Sequence, residues 1–381
     1  DAKGVTPIQS ELKAIDAIAN YTDLATYFGK ANRTGVSIPF SVAVTEDFKD
    51  PTKYSLITWQ SGLGLPEREY YLQTDVKMVD IRKKYVAHVE KMLQLCGIEN
   101  PTESAAKIMA LETTLATNQM KKEDTRDMAA LYNKYAIADL KTLAPDFDWS
   151  AMLKNAGMEK EKSIIVTQVA YTKKLNSIIK NTPITTWKTY LKWGLINDAA
   201  ASLTTALDKQ NFEFYSKTLD GTPQQEEDWK RAVNSVNGGL GEVIGEIYVN
   251  KHFTPEAKER MVLMVKNLLK AYSESIKKLD WMSDKTKKEA LAKVDKFIIK
   301  IGYPDKWKDY SALKIQKNDF YGNRTRSKEF EYNRMITKLG KTVDKTEWLM
   351  TPQTVNAYYN PSLNEIVFPA AILQPPFFNL N

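Results

Sequence analysis

The stretch MVLMVKNLLKAYSESIKKL, residues 261–279, decides the fold class. Its apolar residues recur every three or four positions and therefore form one stripe along a single helix. That stripe consists of Met261, Val265, Leu268, Tyr272, Ile276 and Leu279. Similar stripes run over residues 79–95, 103–118, 164–179 and 187–215. The sequence therefore predicts a mainly α-helical fold.

A second helix is predicted to follow this one. Ser283 can begin it, because a serine hydroxyl accepts from the backbone N–H groups of a first helical turn. The apolar stripe continues through Leu291, Val294 and Phe297-Ile298, so this helix is predicted to end near Gly302.

The character of the chain changes after about residue 316. Residues 354–359 (TVNAYY) are rich in residues that favour strands, and residues 365–368 (EIVF) form a second short run of the same kind. The residues between them, 360–364 (NPSLN), have the composition of a turn. The pattern predicts a β-hairpin with a five-residue loop.

Composition limits the possible partners. The chain has 381 residues, a length that suggests two or three domains. Its 54 basic and 47 acidic residues give a net charge of +7, which is spread along the chain. A nucleic-acid interface would need basic residues gathered on one face with stacking aromatics, so no nucleic-acid partner is predicted. The sequence contains no apolar run of 18 residues, and no membrane-spanning segment is predicted in this chain.

Residue types that perform catalysis are scarce. The two histidines, His88 and His252, lie in no recognisable motif, and a Gly-x-Ser-x-Gly element is absent, which argues against a serine hydrolase. A catalytic zinc usually takes three protein ligands, and no histidine pair has the helical spacing that would supply two of them. No catalytic and no metal-ligating residue is therefore predicted in this chain. Cys96 is the single cysteine, and the glycine-rich residues 237–241 are predicted to serve helix packing.

The segment Val355–Tyr358 suits peptide binding. A strand on an open sheet edge can pair its backbone with an extended peptide. The Asn356 side chain offers donors and an acceptor to peptide amide groups, and the small Ala357 lets a second backbone come close. On this pattern alone, an ordinary surface hairpin remains the simpler interpretation.

Several blocks of the sequence resemble one known family in the same order. They are residues 62–72 (GLGLPEREYYL), 187–193 (WKTYLKW), 280–283 (DWMS), 301–304 (IGYP), 355–361 (VNAYYNP), 364–370 (NEIVFPA) and 372–378 (ILQPPFF). The last three resemble the block that precedes the zinc-binding helix in the neprilysin and endothelin-converting enzyme family, which includes bacterial endopeptidase O. The resemblance covers nearly the whole chain.

The resemblance implies a two-lobed, neprilysin-like architecture around a chamber. Residues 1–315 would form the mostly helical lobe that caps the active-site chamber. Residues 316–381 would form the N-terminal part of a thermolysin-like α+β catalytic lobe, with a substrate-binding edge strand. The implied activity is that of a zinc metalloendopeptidase that cleaves oligopeptides on the amino side of hydrophobic residues.

The same resemblance implies five substrate-binding residues. Asn356 and Ala357 match a pair that forms hydrogen bonds with the substrate backbone, and Tyr358 continues their strand. Ile372 and Phe377 match apolar positions of the pocket for the side chain after the scissile bond. Core packing is the alternative interpretation of these last two residues.

The family's zinc ligands are expected beyond Asn381. The resemblance therefore implies zinc as the cofactor of an intact enzyme, a C-terminal catalytic segment of the same protein as partner, and a chain that is inactive by itself. Animal members carry several disulfides, so a single cysteine indicates a bacterial member. The resemblance to the family then implies a periplasmic, cell-surface or secreted location.

Two other interpretations remain open at this point. The first is a non-catalytic peptide-binding or scaffolding protein derived from the same family. The second is a helical carbohydrate-binding protein, prompted by 8 Trp and 19 Tyr residues.

Overall fold

The computed structural model describes residues 1–379. The α-helices in this range are α1 (Gln9–Asp16), α2 (Tyr21–Thr34), α3 (Glu69–Leu72), α4 (Val76–Leu95), α5 (Pro101–Asn118), α6 (Met128–Leu131), α7 (Trp149–Ala156), α8 (Val169–Asn181), α9 (Ile184–Ala199), α10 (Thr205–Phe212), α11 (Asp228–His252), α12 (Pro255–Lys278), α13 (Asp284–Asp295) and α14 (Phe320–Ile336). The strands are β1 (Phe40–Asp47), β2 (Asp50–Gln60), β3 (Lys134–Ala136), β4 (Ser163–Val166), β5 (Ile298–Gly302), β6 (Tyr358–Asn360) and β7 (Glu365–Pro369). The predicted mainly α-helical class is confirmed.

The chain divides into two compact units. The first unit contains residues 1–48, 53–226 and 313–341, and the second contains residues 49–52, 227–312 and the residues from 342 onward. This division does not follow the single boundary predicted near residue 315. It differs because α14 packs against α2 of the first unit, whereas β5 pairs with β7 in the second. The roles predicted for the two lobes remain predictions.

The first unit combines helices with a four-stranded sheet of order β1-β2-β4-β3. Part of this sheet lies where a helix was predicted. The helix predicted over residues 164–179 is wrong in its first residues. Ile164, Ile165 and Val166 lie in β4, and α8 begins only at Val169. All three of these residues pair in parallel with β2, where β-branched side chains pack well.

The stripe predicted over residues 187–215 is also divided. It consists of α9, a 3-10 turn, α10 and the start of a π-helical turn at Glu213–Leu219. Three aromatic residues of α9 nevertheless lie in the core of the first unit. Trp187, Tyr190 and Trp193 are each at most 2% exposed.

In the second unit, the predicted helix cap is confirmed and the predicted helix end is wrong. The Ser283 hydroxyl accepts from the Thr286 N–H group at 3.2 Å, at the start of α13. That helix ends at Asp295, and Ile298–Gly302 form β5, which pairs in parallel with β7. The isoleucines in this run favour a strand, and burial against a neighbouring strand outweighs the helical spacing of the earlier residues.

The predicted hairpin is present with a shorter first strand. β6 pairs antiparallel with β7, so that Tyr358 faces Val367 and Asn360 faces Glu365. Residues 354–357 precede the strand and are not part of it. Within residues 1–379, no helix is both long enough and apolar enough to cross a membrane.

Candidate functional site

All five residues predicted to bind substrate belong to the second unit. Its sheet has the order β5-β7-β6, so β6 is an outer strand with β7 on one side. In the described part of the chain, the opposite edge of β6 has no strand paired with it. An outer strand of this kind presents unpaired backbone groups with which a further strand can form hydrogen bonds.

Asn356 and Ala357 lie directly before β6. Asn356 is exposed, and its side-chain Oδ1 atom accepts from the backbone N–H group of Ala357 at 2.8 Å. The N–H group of Asn356 donates to the carbonyl of Thr354 at 3.0 Å. Within residues 1–379, the Nδ2 group of Asn356 forms no hydrogen bond, so it is free to donate to a ligand.

The side chain of Tyr358 connects β6 to a neighbouring loop. Its hydroxyl oxygen accepts from the backbone N–H group of Leu349 at 3.0 Å. Burial raises the pKa of Tyr358 to about 12, and the negative charges of Glu365 and Glu347 act in the same direction. Tyr358 is therefore neutral at physiological pH, and its hydroxyl fixes the loop around Leu349 next to β6.

A buried ion pair lies within the same sheet. The Lys300 Nζ atom of β5 is 2.6 Å from Oε2 of Glu365 in β7, and these side chains are only 8% and 1% exposed. Lys300 also donates to the carbonyl of Glu347 at 2.7 Å. Sequence reasoning missed this pair. The signal was a lysine between isoleucines, since a charge within an apolar strand usually has a buried partner.

The two predicted pocket residues have different environments. Ile372 lies in a 3-10 turn at Ala370–Leu373, where it is half-buried and packs against the apolar cluster of the second unit. Phe377 is 70% exposed and is not part of that cluster. The core-packing alternative therefore accounts for Ile372 and does not account for Phe377. Whether either residue contacts a substrate side chain stays a prediction.

The histidines do not form a metal site. His88 is buried beside Phe214, with ring centroids 4.8 Å apart, and Gln210 Nε2 lies 3.2 Å from its Nδ1 atom. Burial lowers the pKa of His88 to about 3, so the ring is neutral. His252 lies at the end of α11. Within residues 1–379, no cluster of three His, Cys, Asp or Glu side chains is arranged to hold a metal ion.

Two surface cavities are bordered by residues other than the five predicted ones. One cavity of about 520 Å³ in the first unit is bordered by Trp59, Arg68 and Lys122. Another, of about 630 Å³ in the second unit, is bordered by Lys293 and Asn364 near the hairpin turn. These two cavities are therefore separate from the candidate site, which lies at the outer strand β6.

The positions of the tryptophan side chains give little support to the carbohydrate-binding interpretation. Trp187 and Trp193 are buried in the core of the first unit, and they cannot form sugar-stacking platforms. Trp229 and Trp281 are 63% and 74% exposed, but Trp229 already donates to Glu227 and lies near Lys230.

Comparison with protein families gives two matches. The model described as "Peptidase family M13" in its N-terminal form matches residues 1–304. A second model of the same description matches residues 356–381, which include Asn356 and Ala357.

Individual relatives agree with the family match. An endothelin-converting enzyme homolog from Locusta migratoria is 32% identical over 92% of this chain and 50% of its own length. Endothelin-converting enzyme 1 from Mus musculus is 30% identical over 89% of this chain and 46% of its own length. The chain thus spans about half the length of the curated relatives it matches.

A solved structure is also similar throughout. The zinc metalloprotease Zmp1 of Mycobacterium tuberculosis, solved with an inhibitor, is 41% identical and superimposes with a TM-score of 0.94. The match covers 99% of this chain and 57% of that chain. PepO from Lactobacillus rhamnosis shares the fold at 22% identity, with a TM-score of 0.87.

Proposed function

The chain belongs to peptidase family M13, and on that premise we propose that it is part of a zinc-dependent endopeptidase that cleaves oligopeptides. Its relatives include enzymes whose names describe a zinc metalloprotease and endothelin-converting enzymes. The observation that carries the proposal is the outer strand β6 with Asn356 and Ala357 directly before it. An extended peptide that adds to this edge would run antiparallel or parallel to β6 and present its amide groups to the Asn356 side chain.

The contribution of this chain is alignment of the substrate. Backbone pairing along β6 fixes the register of the peptide, and the Asn356 Nδ2 group donates to a peptide carbonyl. Each such bond contributes only about 0.5–1.5 kcal/mol net. The edge therefore orients a peptide more than it holds it, which is the role that positioning groups have in catalysis.

Zinc would supply an activated water and would polarise the scissile carbonyl in such an enzyme. The residues described here do not fit a zinc site, since none of their His, Cys, Asp and Glu side chains form the cluster that it requires. The ligands of the proposed zinc would have to come from polypeptide outside residues 1–379.

A preference for cleavage before hydrophobic residues is part of the proposal. Ile372 is half-buried on the apolar cluster, and Phe377 exposes an aromatic ring nearby in sequence. Two apolar side chains of this kind favour a Phe, Leu or Ile side chain, because burying one methylene contributes about 0.8 kcal/mol. Replacing Phe377 by Ala is expected to reduce the preference for a Phe-containing over an Ala-containing peptide.

The decisive experiment changes Asn356 to Ala in a polypeptide that also carries the zinc-binding region of the family. We expect kcat/KM for oligopeptides to fall about threefold to tenfold, the effect of one lost hydrogen bond, while the zinc content stays the same. The matched control is Asn250→Ala, an exposed asparagine on α11, which should leave the kinetics unaltered. Equal kinetics for wild type and Asn356→Ala would remove Asn356 from the site.

A second candidate function is peptide binding without hydrolysis. The open edge of β6 can accept an extended peptide whether or not cleavage follows. Titration of a Phe-containing oligopeptide into the purified chain, with zinc or with a chelator, separates the two functions. Binding without turnover that is independent of zinc supports this candidate, and absence of binding contradicts it.

A further inference from the structure

A pair of glycines in α11 brings a second segment against the backbone of this helix. Gly241 and Gly245 lie one turn apart, on the same face. A Cβ atom built on Gly241 would be 2.7 Å from Thr351 Cγ2, and one built on Gly245 would be 2.7 Å from Pro352 Cδ. Real Cβ atoms do not approach other atoms this closely, so residues 351–353 can occupy their place only because α11 lacks side chains here.

Gln353 joins this segment to α11 by hydrogen bonds. Its Nε2 group donates to the carbonyl of Gly241 at 2.8 Å and to Asn237 Oδ1 at 3.1 Å. Since a backbone carbonyl can only accept, the amino group of Gln353 must face the helix. The helix is interrupted at Leu240, whose φ of −132° and ψ of 34° are not helical. Gln353 thus bonds to α11 directly beside this kink.

The same segment leads to both parts of the candidate site. The carbonyl of Pro352 accepts from the N–H group of Ala371, next to Ile372, at 2.9 Å. The N–H group of Thr354 donates to the carbonyl of Thr351 at 3.0 Å, and that of Asn356 donates to Thr354 at 3.0 Å. A continuous series of short backbone bonds therefore runs from the α11 contact to Asn356.

We propose that Gln353 is a positioning residue that sets the location of Asn356 on the substrate-binding edge. It acts through the turn at residues 351–354 and does not touch the peptide. The hydrogen bond between the carbonyl of Pro352 and the N–H group of Ala371 also holds the turn that carries Ile372. This inference rests on the proposed function, because positioning of Asn356 matters for catalysis only if Asn356 binds a peptide.

Hydrogen exchange tests the positioning without any substrate. In the chain carrying Gln353→Leu, which keeps the volume and removes both donors, we expect the amides of residues 354–358 to exchange about tenfold faster. Amides of α12 serve as an internal reference and should not change. Gln353→Met is a second variant in case Leu prevents folding, and Gln224→Leu, at an exposed position of the first unit, is the matched control. Unchanged exchange at residues 354–358 in a folded variant overturns the proposal.

A double-mutant cycle then tests the consequence for catalysis. In the polypeptide that carries the zinc-binding region, Gln353→Leu should lower kcat/KM about threefold to tenfold when Asn356 is present. It should have little further effect in the Asn356→Ala background, because residues that act through one another are not additive. Equal losses in both backgrounds contradict a role through Asn356. If Asn356→Ala alone has no effect, the proposed function fails at this residue, and the exchange experiment still decides the positioning role.

Discussion

Two sequence blocks that resemble the family with similar clarity have opposite environments in the structure. Residues 62–72 of the first unit are held in a buried polar network, whereas residues 355–359 of the second unit lie at an open edge. In the first block, Tyr71 is 4% exposed; in the second, Val355 and Tyr359 are 63% and 42% exposed. The sequence marks both blocks, and only burial distinguishes a structural motif from a candidate binding motif.

The first block is built around one carboxyl group. Glu112 of α5 is 1% exposed and accepts from the hydroxyl of Tyr71 at 2.7 Å and that of Tyr85 at 2.8 Å. The Tyr71 hydroxyl also accepts from the N–H group of Leu65 at 2.8 Å. Gly64 is required beside this group, because a Cβ atom there would lie 1.8 Å from the Tyr85 hydroxyl oxygen. Every bond in this network closes within the protein.

The second block leaves polar groups open. Asn356 keeps its Nδ2 group free, and β6 has a strand on one side among the described residues. Its buried support lies in the neighbouring strands, in the ion pair between Lys300 and Glu365. Polar groups that form their hydrogen bonds inside the protein stabilise it, whereas polar groups left open at a positioned edge are available to a ligand.

Breaking the ion pair that supports the second block should destabilise the protein most. Changing Lys300 to Met leaves the Glu365 carboxylate buried without its charged partner, and about 3–5 kcal/mol of stability should be lost. The double variant Lys300→Met/Glu365→Leu should recover most of this loss, since apolar pairs can replace buried ions. Urea unfolding measures the change.

A surface pair provides the control for this prediction. Lys84 and Asp80 form an ion pair whose side chains are about half exposed. Changing Lys84 to Met should cost at most about 1 kcal/mol. Similar losses of unfolding free energy at Lys84 and Lys300 would show that the buried ion pair stabilises the protein no more than a surface ion pair does.

The buried carboxyl group of Glu112 makes the stability of the protein depend on pH. Burial raises the pKa of Glu112 from 4.5 to about 7, against the lowering effect of its tyrosine hydrogen bonds. The unfolded chain therefore releases this proton first, and stability should fall as pH rises from about 4.5 to about 7. The loss is on the order of 3 kcal/mol, and little further loss from this group is expected above pH 7.

Glu112→Gln should flatten this part of the pH profile, because the amide does not titrate. Urea unfolding of both proteins at a series of pH values between 4.5 and 8 provides the measurement. Glu103→Gln, at a fully exposed position on the same helix, is the control and should keep the wild-type slope. Parallel profiles for wild type and Glu112→Gln would contradict a raised pKa at Glu112.

Much of the secondary structure could be predicted from the sequence, because helical spacing and strand-forming residues are local signals. The helix over residues 261–279, the Ser283 cap and the hairpin follow from such signals. Residues 298–302 could not be assigned as a strand, since their partner β7 lies more than sixty residues further along the chain. Pairing at that distance is a tertiary effect that local periodicity does not contain.

The candidate site could likewise be predicted only in part from the sequence. Asn356 and Ala357 could be identified from the resemblance, yet the strand predicted over residues 354–359 forms only over Tyr358–Asn360. Gln353 and the Lys300–Glu365 pair were not found, because their partners belong to other segments. The sequence shows that Gly241 and Gly245 are four residues apart, but only the fold shows that residues 351–353 pack against them.

A change from tyrosine to phenylalanine should cost less stability than the changes above, and its cost should differ between the two blocks. Changing Tyr71 to Phe removes a donor to Glu112 and an acceptor for the Leu65 N–H group, both buried, and should cost about 2 kcal/mol. Changing Tyr359 to Phe removes an exposed bond from its hydroxyl to Asn364 Oδ1 at 3.1 Å, and should cost less than about 0.5 kcal/mol. Unfolding free energies of the two variants measure the difference. Equal costs would contradict the division between a buried structural block and an open binding block, because the same hydroxyl would then contribute equally in water and in the core.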